Sequence, residues 1–229
     1  MVEHATTLRD LFADPTLFAT IKLSLIVSLS AASIAALLGV PAGALIALTR
    51  FPGKATTVVI LNALMGLPPV VLGLALYLLL SRAGPLGFAG MLFTPQAMIL
   101  AQSLLILPIL ASLSRQTIED YWSEYRDELT AMNVSPRRRV ATLVWEARFS
   151  LLTALLAGFG RAVGEVGSVI IVGGNIDGYT RTMTTAIALE TSKGNLSLGI
   201  ALGLVLMAIV VLINVLVATV RRAGGRLAA

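Results

Sequence analysis

Four stretches of this chain carry no Asp, Glu, Lys or Arg: Leu23 to Thr49, Ala55 to Ser81, Ala83 to Ser114 and Gly194 to Val220. At about 1.5 Å of rise per helical residue, roughly 20 residues cross the hydrocarbon of a bilayer, so each stretch exceeds the need. Apolar elements buried in a soluble core do not run this long. Composition agrees, with 57% apolar and 13% charged residues among 229 and a mean hydropathy of +0.90. The chain reads as an all-α polytopic membrane protein.

The start of the chain does not read as a signal peptide. Glu3, Arg9, Asp10, Asp14 and Lys22 interrupt it, and the first apolar run is too long for an h-region. The stretch TTLRDLFADPTLFATIK reads as a short amphipathic or irregular segment at one membrane face. Cysteine is absent, which excludes disulfides, thiolate metal sites and a cysteine nucleophile. With His4 as the single histidine, no metal site is expected.

Five spans are expected, near 17–48, 55–81, 96–114, 149–174 and 195–220. Gly84, Pro85, Gly87, Gly90 and Pro95 break the third uncharged stretch, leaving either a loop before a helix from Gln96 or a re-entrant hairpin over 84–95. Orientation follows from Lys and Arg. One set of connections holds Arg50, Lys54, Arg115, Arg126, Arg137, Arg138, Arg139, Arg148, Arg221, Arg222 and Arg226, eleven in all. The other holds five: Arg9, Lys22, Arg82, Arg181 and Lys193. The bias places the N-terminus outside and the C-terminus in the cytoplasm. The basic balance is thus a topology signal, and no nucleic-acid partner is implied.

The large cytoplasmic segment, 115–148, repeats Ile118, Tyr121, Trp122, Tyr125, Leu129 and Met132 at spacings of three and four, with Glu119, Asp120, Glu124, Arg126, Asp127 and Glu128 between. That is an amphipathic helix. Asn133 tolerates a left-handed conformation and is expected to end it. Ser135 then reads as an N-cap and Pro136 as the first residue of the next helix. Such a helix either lies on the bilayer and its own spans or docks a partner.

Three stretches bring a family into view. LMGLPPVVLGLALYLLL in the second span, RDELTAMNVSPRRRVATLVWEARFSLL in the cytoplasmic segment and GFGRAVGEVGSVIIVGGNIDGYTRTMTTAIALETSKG around the fourth span together resemble the permease subunits of prokaryotic ABC importers. The molybdate/tungstate branch is the most similar, and the wording of the third stretch leans toward tungstate. The likeness covers roughly 17–220. Aligned on GFGRAVGE, the family's EAA triplet falls on Asp127, Glu128 and Leu129, its glycine on Asn133, and its later Leu-Pro pair on Trp145 and Glu146. Asn suits a left-handed turn, so the turn is expected to survive. The missing proline leaves the start of the fourth helix unmarked.

The resemblance implies a single transmembrane domain over 1–229, of the type I importer permease fold, in a bacterial or archaeal inner membrane. It implies a homodimeric pore, two ATP-binding cassette subunits and an extracytoplasmic oxyanion-binding protein. ATP and Mg would be bound by the partner ATPase, with no cofactor and no catalysis in this chain. The absence of a G-x-x-x-x-G-K-[ST] stretch agrees. The residues facing the ATPase would be Asp127, Glu128, Leu129, Met132, Asn133, Ser135, Arg137 and Arg138, the arginines meeting either acidic residues or lipid head groups.

Arg161 and Glu165 lie inside the fourth span, where a charge costs roughly 2.5 to 3.5 kcal/mol on insertion scales. On a continuous helix, residues four apart share a face. They form either a buried network that locks helices or part of a gate. Gly160 and Gly164 make a small-xxx-small pair of the kind found at membrane helix crossings. Gly173, Gly174 and Asn175 are expected to break the span near its outer end. A short helix from about Arg181 to Ser192 follows, with Thr180, Thr182, Thr184 and Thr185 offering neutral hydroxyl donors to a passing oxyanion, or forming an external cap. Pro68, Pro69 and Pro108 mark kinks, as gates or as packing irregularities. Two rivals fit less well. An ion-coupled transporter would show internal repeats and several intramembrane acids. An intramembrane enzyme would need a nucleophile–base or metal cluster.

Overall fold

A computed structural model describes residues 15–226, in which helices joined by turns account for all regular structure and no strand occurs. His4, Arg9 and most of the expected surface segment lie outside these residues. From Pro15 onward that segment belongs to the first long helix, α1 (Pro15–Leu48). Then come α2 (Lys54–Met65), α3 (Pro69–Leu80), α4 (Pro95–Ala131), α5 (Pro136–Glu146), α6 (Arg148–Val163), α7 (Gly167–Gly173), α8 (Met183–Ser192) and α9 (Leu196–Arg226). Three stretches, Leu17–Leu48, Pro95–Ala131 and Leu196–Thr219, are long and apolar enough to cross a membrane. Counting α2 with α3 and α5 with α6 as broken spans brings the number to five.

Three boundaries differ from expectation, each for a local reason. The second span is interrupted at Gly66–Pro68, since two successive prolines donate no backbone N–H and Pro69 instead opens α3. The third span does not stop at 114. Helix α4 runs 37 residues, about 55 Å at 1.5 Å per residue, through Pro108 and on through the amphipathic segment to Ala131. At Arg115 the composition turns polar, but Arg, Gln and Glu propagate a helix as well as Leu does. The fourth span, expected as one run over 149–174, is split at Gly164–Val166, where two glycines flank Glu165 and weaken the helix.

The chain forms two compact units. The first comprises the residues up to Leu29, Pro69–Gln102 and those from Val163 on. Its core holds Val27, Leu76, Leu80, Met98, Val169 and Val172, and α3 packs on α7. Glycines set that distance: a Cβ on Gly73 would stand 2.8 Å from the Ser168 Cα, and one on Gly167 2.8 Å from the Val70 Cγ2. The 84–95 stretch is a loop holding one 3-10 turn, Gly87–Ala89, and the Phe93 N–H ties it to the Val172 carbonyl at 2.8 Å. Helix α9 packs on α8, yet only 6% of its apolar window is buried. A helix this apolar all round has lipid or another chain as its solvent.

The second unit comprises Ser30–Pro68 and Ser103–Ala162. Its core gathers Ala44, Ala47, Ile118, Leu129, Leu143, Ala147 and Leu151. Lys54 joins two helix ends here, donating to the Ala47 carbonyl at 2.8 Å and pairing with Glu119 at 3.3 Å, which also pairs with Arg115.

Candidate functional site

In the second unit, the end of α4 is built as the sequence requires. Asn133 sits at φ 50, in the left-handed region. The Val134 N–H donates to the Leu129 carbonyl at 3.2 Å and the Asn133 N–H to the Thr130 carbonyl at 3.0 Å. These are the two bonds of a Schellman turn, which satisfies carbonyls a helix end would otherwise leave bare. Ser135 follows with extended backbone, at the N-cap position, and Pro136 opens α5. The Ser135 side chain makes no capping bond, so its contribution is backbone geometry alone.

The apolar stripe of the amphipathic segment faces inward. Ile118 is fully buried and Leu129 is 8% exposed, with Tyr121, Trp122 and Tyr125 packed against the same core. Leu129 is therefore a core residue, not a contact offered at the surface of this chain. What remains exposed is the turn: Asp127, Glu128, Asn133, Ser135, Arg137 and Arg138, with Met132 at 74%. Arg139 behaves differently from the two arginines before it. Its guanidinium lies 5.0 Å over the Trp122 ring and donates to the Val134 carbonyl at 3.1 Å, bracing the turn. The exposed surface nearby is acidic as well, with Glu124 and Glu146 both exposed.

The helix junction left unmarked by the missing proline lies at Ala147, where α5 and α6 meet at a 68° bend. Trp145, 65% exposed, and Arg148 flank it. Sequence alone assigns neither side chain a role; the signal available is an aromatic beside a basic residue at the end of an apolar run.

In the first unit, Glu165 is 4% exposed and occupies the break before α7. Its Oε1 accepts from the Ser168 N–H at 3.1 Å, as a capping carboxylate does at a helix start. Its own carbonyl accepts from the Thr184 Oγ1 at 2.9 Å. Arg161 is exposed in the last turn of α6. The helix carrying Arg161 ends at Val163, so Glu165 lies beyond its last residue. A methyl group added at Gly160 would meet no atom within 4 Å, so Gly160 makes no close helix crossing among the described residues.

Beyond α7 the chain turns through Gly174 at φ 73 and Asn175 at φ 49, as expected. The Asn175 amide nitrogen reaches the Thr185 carbonyl at 3.5 Å, and its Oδ1 is buried with no hydrogen-bond donor. The four threonine hydroxyls are committed inside the fold. Thr180 donates to the Gly173 carbonyl at 2.6 Å and accepts from the Ile176 N–H at 2.9 Å. Thr182 and Thr185 form a capping box at the start of α8, and Thr184 holds Glu165. These hydroxyl bonds hold α8 against the turn and the break that precede it.

At the far end of α8, the Glu190 carboxylate accepts from Lys193 at 2.8 Å and from Asn195 at 3.2 Å. The Lys193 bond above all holds its pKa below the ordinary value of 4.5, against the opposing effect of burial. A lowered folded-state pKa stabilises above the unfolded value and is lost as pH falls through the folded one. Thermal stability of the unaltered protein in detergent is thus expected to fall faster than that of Glu190→Gln on acidification below pH 4.5. The gap at neutral pH should be no more than about 1 kcal/mol, since Lys193 is largely solvated. Parallel pH profiles would refute the assignment.

Residues 39–223 match the family described as "Binding-protein-dependent transport system inner membrane component". The chain is 45% identical over 209 residues to a "Probable anion ABC transporter permease protein" of Haloferax volcanii, covering 89% of this chain and 90% of that one. It is 38% identical over 204 residues to a "Tungstate uptake system permease protein" of Peptoclostridium acidaminophilum, covering 89% and 90%. A protein of the same description from Campylobacter jejuni is 43% identical over 163 residues, covering 71% and 68%.

Proposed function

The chain belongs to the family of binding-protein-dependent transport system inner membrane components, and from that premise we propose that it is the pore-forming subunit of an ATP-driven importer bringing an oxyanion, tungstate first and molybdate next, into the cytoplasm. The observation that carries this reading is its 38% and 43% identity to two permeases described by tungstate uptake. Two copies form the pore. Each receives an ATP-binding cassette subunit at the exposed Met132–Arg138 turn, and an extracytoplasmic binding protein delivers the anion. ATP and Mg belong to the ATPase; this chain takes no cofactor and performs no catalysis.

Arg161 is exposed at the end of an apolar helix, and a charge at such depth faces protein or a water-filled path. It is accordingly assigned to the pathway at the pore axis. Within the first unit, Glu165, Asn175, Thr180 and Thr184 hold α7 and α8 together, and the Pro68–Pro69 break is assigned to gating. Reconstitution with the ATPase and binding protein tests the whole. Tungstate-loaded binding protein should stimulate ATP hydrolysis more than molybdate- or sulfate-loaded protein. Equal stimulation by sulfate would remove the substrate assignment, and no association with an ATPase would remove the importer reading.

A further inference from the structure

A groove of about 270 Å³ opens on the second unit between α1, α5 and α6. Its walls are aliphatic: Ala36 and Val40 on α1, Leu152 and Leu155 on α6, with Val144 toward one end. Arg148 is the one charged residue lining it. We propose that this groove seats an acyl chain of an anionic phospholipid, with the phosphate on Arg148.

Depth and shape select the occupant. Ala36 and Val40 belong to a helix long and apolar enough to cross a membrane, and Leu152 and Leu155 to the α5–α6 pair that qualifies as a broken span; the apolar partners available to such helices are acyl chains and other helices. The trough is aliphatic with a single guanidinium lining it, a pairing matched by a lipid's acyl chain and phosphate together. Alongside it, α1 presents a bare apolar face, with Leu37 at 74% and Leu38 at 58% exposure.

Arg148 selects the head group. It sits where α5 turns into α6, and Nη1 donates to the Trp145 carbonyl at 2.7 Å. The guanidinium is held against two rings, 4.8 Å from Trp145 and 4.7 Å from Phe149. A guanidinium carries five N–H donors in a planar fork suited to phosphate. One is spent on Trp145, and no carboxylate among the described residues pairs with Arg148. The remaining donors have no hydrogen bond among the described residues beyond the one to Trp145 and are available to a phosphate of the adjacent leaflet. Exposed Trp145 sits beside it, as amphipathic rings do at head-group level. Arg137 and Arg138, exposed on α5, add positive potential along the same segment.

Trp145 also reports on the site. The chain has two tryptophans, so Trp122→Phe leaves Trp145 as the sole emitter. In phosphatidylcholine vesicles, brominated phosphatidylglycerol should quench it at a mole fraction roughly fivefold lower than brominated phosphatidylcholine, as one basic contact predicts. With Arg148→Gln added the two quenching curves should coincide. Ala36→Phe fills the groove without touching the charge and should give the same result, so the outcome does not hang on whether Arg148→Gln folds. Glycerol 3-phosphate, a head group without chains, should leave the curves unchanged. Coincident curves in the Trp122→Phe protein, or a preference that survives Ala36→Phe, would overturn the proposal. So would a preference abolished by glycerol 3-phosphate, which would assign Arg148 to a soluble anion.

Discussion

Gly43→Ala, the addition of one methyl group, is expected to destabilise the second unit by about 3 kcal/mol. A Cβ at this position in α1 would stand 2.4 Å from the Ala111 carbonyl oxygen, 2.8 Å from the Arg115 nitrogen and 2.9 Å from the Ser114 Cβ. Two of those atoms are backbone of α4, so no rotamer change relieves the contact; the helix must move. Overpacking a close-fitted interior costs about 1 to 3 kcal/mol and sometimes more, and a backbone clash belongs at the upper end. Gly39, one turn earlier, places its absent Cβ 3.1 Å from the Leu110 Cβ and should tolerate alanine better. Gly160→Ala meets nothing within 4 Å and is the control. Loss of a monodisperse species on heating in detergent measures the series. Gly43→Ala melting with Gly160→Ala would remove the close crossing of α1 and α4.

That series also shows what the sequence could and could not disclose. Gly39/Gly43 and Gly160/Gly164 have the same spacing, and spacing says nothing about which pair has a neighbour. The pair nested among charged residues draws attention, while the one that makes the crossing within this chain lies in an unbroken apolar run. Local chemistry was legible where one residue decides the backbone: Asn133 at a left-handed turn, Pro136 at a helix start, the halt at Gly173–Asn175. The break at Gly164–Val166 was not, because hydropathy continues across it. The inward turn of Leu129 was not either. An amphipathic stripe shows that one face seeks apolar cover, and only the tertiary packing of α1, α5 and α6 shows that the chain covers it itself.

Met132→Asp is expected to separate the permease from its ATPase while leaving the permease intact. Leu129, three residues earlier in the last turn of α4, supplies the contrast. Leu129→Asp would place a carboxylate where the native side chain is 8% exposed in an apolar core. Burying an unpaired charge costs several kcal/mol, so this variant should lose the folded second unit and report nothing about coupling. Met132, at 74% exposure, makes no comparable demand on the fold. Its flexible thioether projects from the Schellman turn, the most prominent apolar group on an otherwise polar surface. An apolar anchor ringed by charges is the usual centre of a protein contact, and losing one costs about 2 kcal/mol or more, roughly thirtyfold in affinity. Met132→Asp should therefore insert and purify normally, yet lose substrate-stimulated hydrolysis and uptake at ATPase concentrations that saturate the unaltered protein. Arg137→Gln and Arg138→Gln, both at exposed sites, should weaken association by less than about 1 kcal/mol and only at low salt. Full coupled hydrolysis and uptake by Met132→Asp would move the docking surface away from the Asn133 turn, toward the exposed Trp145 at the α5–α6 bend.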